Sequence, residues 1–505
     1  MFKNHPKGLL AAALANMGER FGFYTMMAIL VLFLQSKFGL DGKNAGLIYG
    51  IFYALIYVLA LAGGLIADKT RNYKGTILIG LFVMAGGYLL LSIPTPTPVS
   101  NLTTALIFSC FALLMIAFGN GLFKGNLQAV VGQMYDNQQY AKMRDSGFQW
   151  FYMFINVGAM FAPLIAPALR KWWLKSQGFL YDAGLPSLCH QQLSGTLGGE
   201  NTAKFAELAQ GASVSGQAIP IEELSVFATN YLDAFTKGFH YAFGVAIVAM
   251  LLSVVIYVAN RKGFPDPKDK VKAASGVHGS EMSLQEVRQR VWALFAVFGV
   301  VIFFWFSFHQ NGLTLTFFAR DYTELTIFGY SFAVEHFQSA NPFLVVFLTP
   351  IIVGIFGWLR AKGKEPSTPK KIVIGMGIAA SAFVLMTVVC KMSNLPLFSE
   401  IVGRSDVLVT PWLLIGTYFI LTVAELFISP LGISFVSKVA PPHLQGLMQG
   451  GWLSATAIGN GLLIFGAIFY QSLPIWMTWA LFAAACILSM FIMLVMLKWL
   501  ERVSK

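Results

Sequence analysis

The stretch LLAAALANMGERFGFYTMMAILVLFL, residues 9–34, decides the fold of this chain. It places two adjacent charged residues, Glu19 and Arg20, in a segment that is otherwise apolar enough to cross a bilayer, which takes about 20 residues. A charge at the middle of a membrane costs roughly 2.5–3.5 kcal/mol on insertion scales, and such residues usually face a bundle interior or a water-filled cavity. The pair therefore predicts a functional site inside a membrane-spanning bundle.

The composition of the whole chain indicates a polytopic membrane protein. Hydrophobic residues make up 56% of the 505 residues and charged residues 11%, whereas soluble domains carry about 25% charged residues. The net charge of +12 does not indicate a nucleic-acid partner, because the Lys and Arg of a membrane protein collect in its cytoplasmic loops. The four cysteines lack metal-ligand spacing, and we expect no metal, no cofactor and no disulfide. Without an HExxH motif or a Walker loop, the sequence predicts no enzyme.

Apolar runs long enough to span a bilayer occur twelve times. The first is too long for the apolar core of a signal peptide, so we interpret it as a membrane span. The sequence therefore predicts an all-α polytopic protein with twelve transmembrane helices, called spans 1 to 12. Their predicted limits are 8–36, 45–68, 74–93, 102–133, 144–170, 235–260, 287–318, 341–360, 371–392, 408–437, 446–471 and 475–499.

Most basic residues between the predicted spans fall on one side of the bilayer, and the loops on the other side, such as residues 94–101 and 393–406, are poorer in them. By the positive-inside tendency the side with most of the basic residues is the cytoplasm, and both termini lie there. This predicts a multi-pass protein of the inner (plasma) membrane. The basic residues are Lys69, Arg71 and Lys74 after span 2; Lys142 and Arg144 after span 4; Arg261, Lys262, Lys268, Lys270, Lys272, Arg288 and Arg290 after span 6; Arg360, Lys362, Lys364, Lys370 and Lys371 after span 8; and Lys498, Arg502 and Lys505 at the end.

The spans divide into two halves of six, which is the layout of the major facilitator superfamily. Residues 1–170 hold spans 1 to 5 of the N-terminal bundle, and residues 235–260 complete it with span 6. A long basic segment, residues 261–286, is the predicted cytoplasmic linker. Residues 287–505 then hold spans 7 to 12 of the C-terminal bundle.

A polar insertion rich in Gly and Ser, residues 171–234, interrupts the N-terminal bundle between spans 5 and 6. We expect it on the extracytoplasmic side, with short helices near residues 203–210 and 221–231. The simpler interpretation is a small cap or a variable loop, since surface loops tolerate insertions. A role in substrate gating is the alternative.

Short motifs occur in order along the predicted spans. Residues 18–24, GERFGFY, match an ExxERFxYY pattern, and residues 63–68, GGLIAD, match GGxxAD. Span 4 carries Gly121-Leu122-Phe123-Lys124, and span 5 carries FYxxINxG in Phe151, Tyr152, Ile155, Asn156 and Gly158. In the second half, the matches are Phe304, Trp305 and Gln310 in span 7, Asn341-Pro342 in span 8 and residues 424–432, AELFISPLG, in span 10. Together these motifs resemble the proton-dependent oligopeptide transporter family of the major facilitators and cover nearly the whole chain.

Three positions depart from the pattern of that family. Asn16 stands where the ExxER motif has its first Glu. Met27 stands for an Arg that in the family pairs with an acid of span 7, and His309 stands for that acid. We interpret the last two as one coupled replacement, because losing a single partner would leave a buried unpaired charge at a cost of several kcal/mol. The chain therefore resembles an atypical member.

The resemblance implies one cavity around the few charged residues of the spans. Lys124 joins Arg20 beside the single carboxylate of Glu19, which leaves one positive charge for a substrate anion. Glu425 has no positive residue near it in its own span and suits a substrate ammonium. For any one aromatic residue, packing between helices is the alternative to substrate contact. The predicted substrate-binding residues are Tyr24, Tyr57, Lys124, Tyr152, Asn156, Trp305, His309, Asn341, Glu425 and Trp452.

Proton coupling needs a group whose charge changes within the working pH range. A free imidazole has a reference pKa of about 6.5, which makes His309 a candidate, and a hydrogen-bonded residue without a titrating role is the alternative. Asp68, beside basic residues at the end of span 2, is more typical of a gating or structural contact than of a substrate ligand. The predicted proton-coupling or gating residues are Glu19, Arg20, Lys124, His309 and Glu425.

These residues predict a monomeric secondary transporter that uses alternating access and a proton gradient to import di- or tripeptides or peptide-like zwitterions. An importer of another small anion or metabolite is the first alternative, because Met27 and His309 replace family residues. A non-transporting membrane receptor is the second. The charges retained in both halves argue against it, since apolar packing would serve such a bundle better.

Overall fold

Helices dominate the computed structural model, which describes residues 4–182, 184–265, 282–327, 329–331, 334–401 and 405–504. Within these residues, twelve helical segments are long and apolar enough to cross a membrane. The predicted all-α architecture with twelve spans is therefore confirmed. Most of the predicted linker, with Lys268, Lys270 and Lys272, lies outside the described residues.

The N-terminal half contains six of the membrane helices, and α1 packs against both α5 and the last of them, α8. Side-chain caps mark several starts; the Asp41 carboxylate, for example, accepts the backbone N–H of Asn44 at 2.8 Å. The helices are α1 Gly8–Phe38, α2 Gly42–Thr70, α3 Tyr73–Ser92, α4 Leu102–Met134, α5 Arg144–Ser176, then α6 Leu185–Ser194 and α7 Gly199–Gly211 in the insertion, and α8 Leu224–Asn260.

The insertion packs on the N-terminal half. Its helix α6 contacts α8 and the end of α1, where the His190 imidazole Nε2 lies 2.8 Å from the Ser36 carbonyl oxygen. The short helix expected near residues 203–210 corresponds to α7, whereas α6 has no counterpart in the prediction. The helix expected at residues 221–231 is instead the first part of α8, which starts at Leu224 and not at residue 235. Phe227 and Tyr231 explain this extension, since both rings are buried.

The C-terminal half contains the other six spans, and two of them are broken. Span 7 consists of two helices separated by a 3₁₀ turn, His309–Gly312, and span 11 is interrupted at Leu462. A two-stranded antiparallel ribbon pairs Thr326 with Ser331. The elements are α9 Leu284–Phe308, α10 Thr314–Tyr322, β1 Thr326–Ile327, β2 Tyr330–Ser331, α11 Val334–Ala361, α12 Thr368–Met392, α13 Pro411–Val439, α14 Gln445–Gly461, α15 Leu463–Ser472 and α16 Ile475–Val503.

Adjacent glycines of α2 bring the helices close together, both within and between the halves. A Cβ on Gly63 would collide with the backbone of Gly121 in α4, which belongs to the same half. A Cβ on Gly64 would collide with the backbone of Gly446 at the start of α14, which belongs to the other half. The GGxxAD motif is thus the point where α2 meets both neighbours without side chains between them.

We expect Gly63→Ala to lower the thermal unfolding temperature of the purified protein in detergent. Overpacking a close contact costs about 1–3 kcal/mol. The control is Gly46→Ala in the same helix, because a Cβ there meets nothing within 4 Å. Equal unfolding temperatures for the two variants would contradict the close packing of α2 on α4.

Candidate functional site

The two charged residues of α1 neutralise each other inside the bundle. The Arg20 guanidinium donates to both carboxylate oxygens of Glu19, each at 2.6 Å, and both residues are buried. The amide of Asn120 in α4 donates to Glu19 Oε1 at 2.8 Å. Glu19 therefore has a partner on another helix, Asn120, in addition to its direct ion pair with Arg20. The carboxylate of Glu19 thus neutralises the positive charge of Arg20 within the protein.

Lys124, one helical turn beyond Asn120 on α4, remains the positive charge without a carboxylate. Its ammonium lies 5.4 Å from the centroid of the Tyr57 ring of α2, within the range of a cation–π interaction. Among the described residues, no carboxylate forms an ion pair with it. A partly buried ammonium of this kind is available to an anionic group of a ligand.

Glu425 of α13 is held from both halves of the protein. The Tyr152 hydroxyl of α5 donates to Glu425 Oε1 at 2.5 Å, and the Asn341 amide of α11 donates to Oε2 at 2.7 Å. The same Asn341 amide also donates to the Thr422 hydroxyl at 3.1 Å. Two neutral donors satisfy the carboxylate without cancelling its charge, and the bond from Tyr152 joins the N-terminal half to the C-terminal half.

A cavity of about 130 Å³ brings most of the predicted site residues together. It lies between the two halves, with walls from α1, α2, α4 and α5 on one side and from α9, α13 and α14 on the other. We call it the inner cavity. Its predicted members are Arg20, Tyr24, Tyr57, Lys124, Tyr152, Trp305, His309 and Trp452. Its volume is below the roughly 300–1,000 Å³ usual for ligand pockets, so it fits a compact group.

The other predicted residues lie behind this cavity. Glu19 is reached through Arg20, while Glu425 and Asn341 are reached through Tyr152. Asn156 turns back on its own helix, where its amide donates to the carbonyl of Tyr152 at 3.1 Å. Its position therefore supports Tyr152 and does not line the cavity.

Trp305 and His309 form a stacked pair in the wall of the inner cavity. Their rings lie 4.7 Å apart at an angle of 13°. Among the described residues, Trp305 Nε1 and His309 Nδ1 have no hydrogen-bond partner, although both atoms are buried. Buried polar groups are normally paired, so these two nitrogens are candidates for bonds to a ligand.

Three polar residues of the inner cavity escape the sequence prediction. Gln128, Ser429 and Thr456 line it beside residues that the sequence does identify. Each lies four positions after a predicted residue, namely Lys124, Glu425 and Trp452. Residues four apart lie on the same face of a helix, so this spacing is the feature of the sequence from which the three residues could be predicted.

The two halves of the protein contact each other at the end of the bundle where the chain begins and ends. We call it the termini end. There the Asp68 carboxylate of α2 accepts the backbone N–H groups of Gly446 at 2.9 Å and Leu447 at 2.7 Å, the first residues of α14. The Tyr73 hydroxyl also donates to Asp68. A carboxylate at a helix N-terminus satisfies free N–H groups and complements the helix dipole, so Asp68 joins the two halves.

A second set of contacts joins the halves at the termini end. The Asp145 carboxylate of α5 accepts from the Lys371 ammonium of α12 at 2.8 Å and from the Ser434 hydroxyl of α13 at 2.6 Å. Lys371 also bonds Glu365 at 2.7 Å and is only 1% exposed. Arg144 donates to the Ser437 hydroxyl at 2.8 Å. These contacts hold α5 against the C-terminal half at the termini end.

A further histidine at the termini end is unsuited to proton coupling. His5 Nδ1 lies 2.7 Å from the Tyr135 hydroxyl. Burial, aided by the nearby charge of Arg360, lowers the pKa of His5 to about 4. The lowered pKa keeps His5 neutral near physiological pH, so its charge does not change in the range where a coupling group must titrate. Within the described part of the chain, no group of three or more His, Cys, Asp or Glu is arranged to hold a metal ion.

A two-half bundle of twelve helices with a charged cavity between the halves defines a membrane transporter of the major facilitator fold. Solved structures agree: a POT peptide transporter in complex with alafosfalin is 24% identical, with a TM-score of 0.58, over 100% of this chain and 96% of that one. A POT family transporter in complex with 5-aminolevulinic acid is 21% identical, with a TM-score of 0.59, over 100% and 98%.

The POT family model matches residues 74–189 and 268–474, more than half of the chain. The chain therefore belongs to the POT family, and it is a multi-pass protein of the inner membrane. The peptide transporter YePEPT of Yersinia enterocolitica is 27% identical over 481 residues, covering 91% of this chain and 87% of that protein. Dipeptide and tripeptide permease B of Salmonella typhimurium is 27% identical over 516 residues, covering 98% and 96%.

We expect Lys371→Met to destabilise the protein by several kcal/mol, because it leaves the largely buried carboxylate of Asp145 without its cation, whereas Glu365 keeps its ion pair with Arg360. Lys370→Met, at the exposed neighbouring position, is the matched control. Thermal unfolding in detergent measures the difference. Combining Lys371→Met with Asp145→Asn should recover part of the loss, and strictly additive losses would contradict a direct ion pair.

Proposed function

We propose that this protein is a proton-coupled symporter of di- and tripeptides or peptide-like zwitterions, working by alternating access as a monomer. The substrate lies between the halves, with its carboxylate toward Lys124 and its ammonium toward Glu425. A ligand held by both walls favours the closed arrangement of the halves over the open one, because it contacts both only when they are close. Transport of this kind needs no cofactor, and the proton gradient drives it.

The observation that carries this proposal is the unequal charge of the two walls. Arg20 is neutralised by Glu19, so the N-terminal wall presents the ammonium of Lys124, which no carboxylate pairs in the described part of the chain. The C-terminal half contributes the carboxylate of Glu425, which lies behind Tyr152 of the inner cavity and is held by neutral donors alone. Opposite charges contributed by the two halves complement a zwitterion.

The relatives support a peptide substrate. Those described above are named as a peptide transporter and as a dipeptide and tripeptide permease, and they align with this chain over nearly its whole length. Their names do not distinguish peptides from other compact zwitterions as the cargo of this chain. That choice depends on the inner cavity.

Proton coupling has a structural basis in the bond between Tyr152 and Glu425. An ionised carboxylate accepts both the Tyr152 hydroxyl and the Asn341 amide, whereas a protonated one turns an oxygen into a donor. Proton binding at Glu425 would therefore weaken a contact that joins the halves. His309, with Nδ1 free and its ring stacked on Trp305, is the second group whose protonation would alter the cavity wall.

A different small zwitterion is the alternative cargo, and two observations favour it. Met27 and His309 replace an Arg and an acid of the family pattern, and the inner cavity measures only about 130 Å³. A neighbouring structure contains 5-aminolevulinic acid, which is an amino acid and not a peptide. Competition between dialanine and 5-aminolevulinic acid for one site would rank the two kinds of cargo.

We expect Glu425→Gln to reduce the uptake of labelled dialanine into proteoliposomes at least tenfold under an inward proton gradient. The amide removes the negative charge that would hold the substrate ammonium. Glu222→Gln, at an exposed position outside the membrane core, is the matched control and should transport normally. Equal uptake by both variants would contradict a role for Glu425.

We expect His309→Ala to separate binding from coupling. If protonation of His309 drives the cycle, the variant should still exchange dialanine across the membrane when both sides contain it, since exchange needs no net proton flow. Accumulation driven by the gradient should fall at least tenfold. Normal accumulation would place coupling at another of the predicted residues, among which Glu19 and Glu425 are the carboxylates.

A further inference from the structure

A second and larger cavity lies next to the inner one, on the side away from the termini end. It has a volume of about 790 Å³, and we call it the outer chamber. Tyr57 and His309 line both cavities, so these two side chains form a common wall. The outer chamber lies between α2 of the N-terminal half and the broken spans 7 and 11 of the C-terminal half.

The walls of the outer chamber are mainly apolar and partly open toward lipid. Its side chains include Ala54, Val58, Leu61, Ala457, Ile458 and Leu463. Val58 is 60% exposed and Ile458 is 54% exposed, which places these two at the rim between α2 and α14. An apolar space of this size adjacent to a charged cavity suits an apolar group attached to a charged one.

Glycine residues keep the outer chamber open, because they place no side chain in it. Gly50, Gly312 and Gly461 line it, and a Cβ at any of them would meet nothing within 4 Å. Both helix breaks face this space, one at His309–Gly312 and the other at Leu462. Irregular backbone at membrane depth is tolerated where it lines a cavity, so the breaks and the glycines have one explanation.

We propose that the outer chamber holds the apolar side chain of a cargo whose charged groups lie in the inner cavity. The protein then selects amphipathic zwitterions, such as dipeptides with one bulky apolar residue, over small ones such as dialanine. This inference rests on the proposed function. It follows from the two volumes, since about 130 Å³ accommodates little beyond the charged groups, and the adjoining 790 Å³ is the space left for a large side chain.

His309 and Tyr57 act as the gate between the two spaces in this arrangement. A side chain that passes from the inner cavity to the outer chamber must contact both rings. The Tyr57 hydroxyl lies 3.0 Å from the Tyr53 hydroxyl, so the polar group of Tyr57 is bound to a neighbour on the same helix, α2. An imidazole in place of the family acid removes a fixed negative charge from this passage, and an apolar group then crosses it without desolvating a carboxylate.

The test fills the chamber without touching the charged residues. Binding of dialanine, alanylphenylalanine and phenylalanylalanine is measured on the full-length protein in detergent, for the natural chain, Gly50→Leu and Gly46→Leu. Gly46 and Gly50 lie one turn apart on α2 and both have open space around them, but only Gly50 lines the chamber. Leucine is a good helix former, so neither change should harm α2.

The natural chain should bind at least one phenylalanine dipeptide about tenfold more tightly than dialanine, because burying a large apolar side chain is favourable. Gly50→Leu should remove that preference and leave dialanine within about twofold, whereas Gly46→Leu should preserve it. Gly461→Leu, on the facing wall, should act like Gly50→Leu.

Two results would overturn the inference alone: equal binding of all three dipeptides by the natural chain, or an equal loss of all three in Gly50→Leu. In both cases dialanine still binds the natural chain, so the proposed function stands. If the natural chain binds none of the three dipeptides, the proposed peptide cargo fails and the inference fails with it.

Discussion

The buried ion pair between Glu19 and Arg20 determines how charge is distributed in this protein. Two hydrogen bonds of 2.6 Å hold the guanidinium on the carboxylate, and Asn120 satisfies a further lone pair of that carboxylate. An unpaired charge at this depth would cost several kcal/mol, and the bond from Asn120 ties the paired Glu19 of α1 to α4. Because Glu19 neutralises Arg20, Lys124 is the positive group of the inner cavity that forms no ion pair among the described residues. The ion pair thus determines which positive charge is available to a ligand, a role that requires no contact between the pair and the ligand.

Hydropathy alone predicts the twelve spans, because each requires a long apolar run, and the structure matches most of the predicted limits within a few residues. The start of α8 differs for a physical reason. Residues 224–234 are too polar on one face to be counted as a membrane span, yet Phe227, Tyr231 and Phe235 bury their rings along the other face against the insertion. A helix extended by contacts outside the membrane leaves no continuous apolar signal.

The charged residues of the site were predictable, since an ionisable residue within an apolar run is rare and costly. Their bonding was harder to predict. Adjacent residues on a helix point in different directions, yet the long Arg20 side chain folds back on Glu19. The breaks at His309 and Leu462 also escaped prediction, because both lie inside apolar stretches that read as continuous spans. Only the three-dimensional arrangement shows that both breaks face one cavity.

The two ends of the protein differ in a way that suits a transport cycle. At the termini end, Asp68 binds the start of α14 and Asp145 binds Lys371, so the halves are locked by charged contacts. On the other side of the inner cavity, the halves are separated by the outer chamber. The bond between Tyr152 and Glu425 lies between these regions. A ligand or proton at Glu425 therefore acts on a contact positioned to couple the two ends.

The central claim is that Lys124 and Glu425 hold opposite ends of one ligand. It is tested most directly by calorimetric binding of dialanine, N-acetyl-dialanine and dialanine amide to the natural chain, Lys124→Met and Glu425→Gln. Masking the amine should weaken binding to the natural chain but cause no further loss in Glu425→Gln, and masking the carboxylate should behave likewise with Lys124→Met. If each masked ligand loses the same affinity in all three proteins, neither residue holds the end of the ligand assigned to it, and the account of the site is wrong.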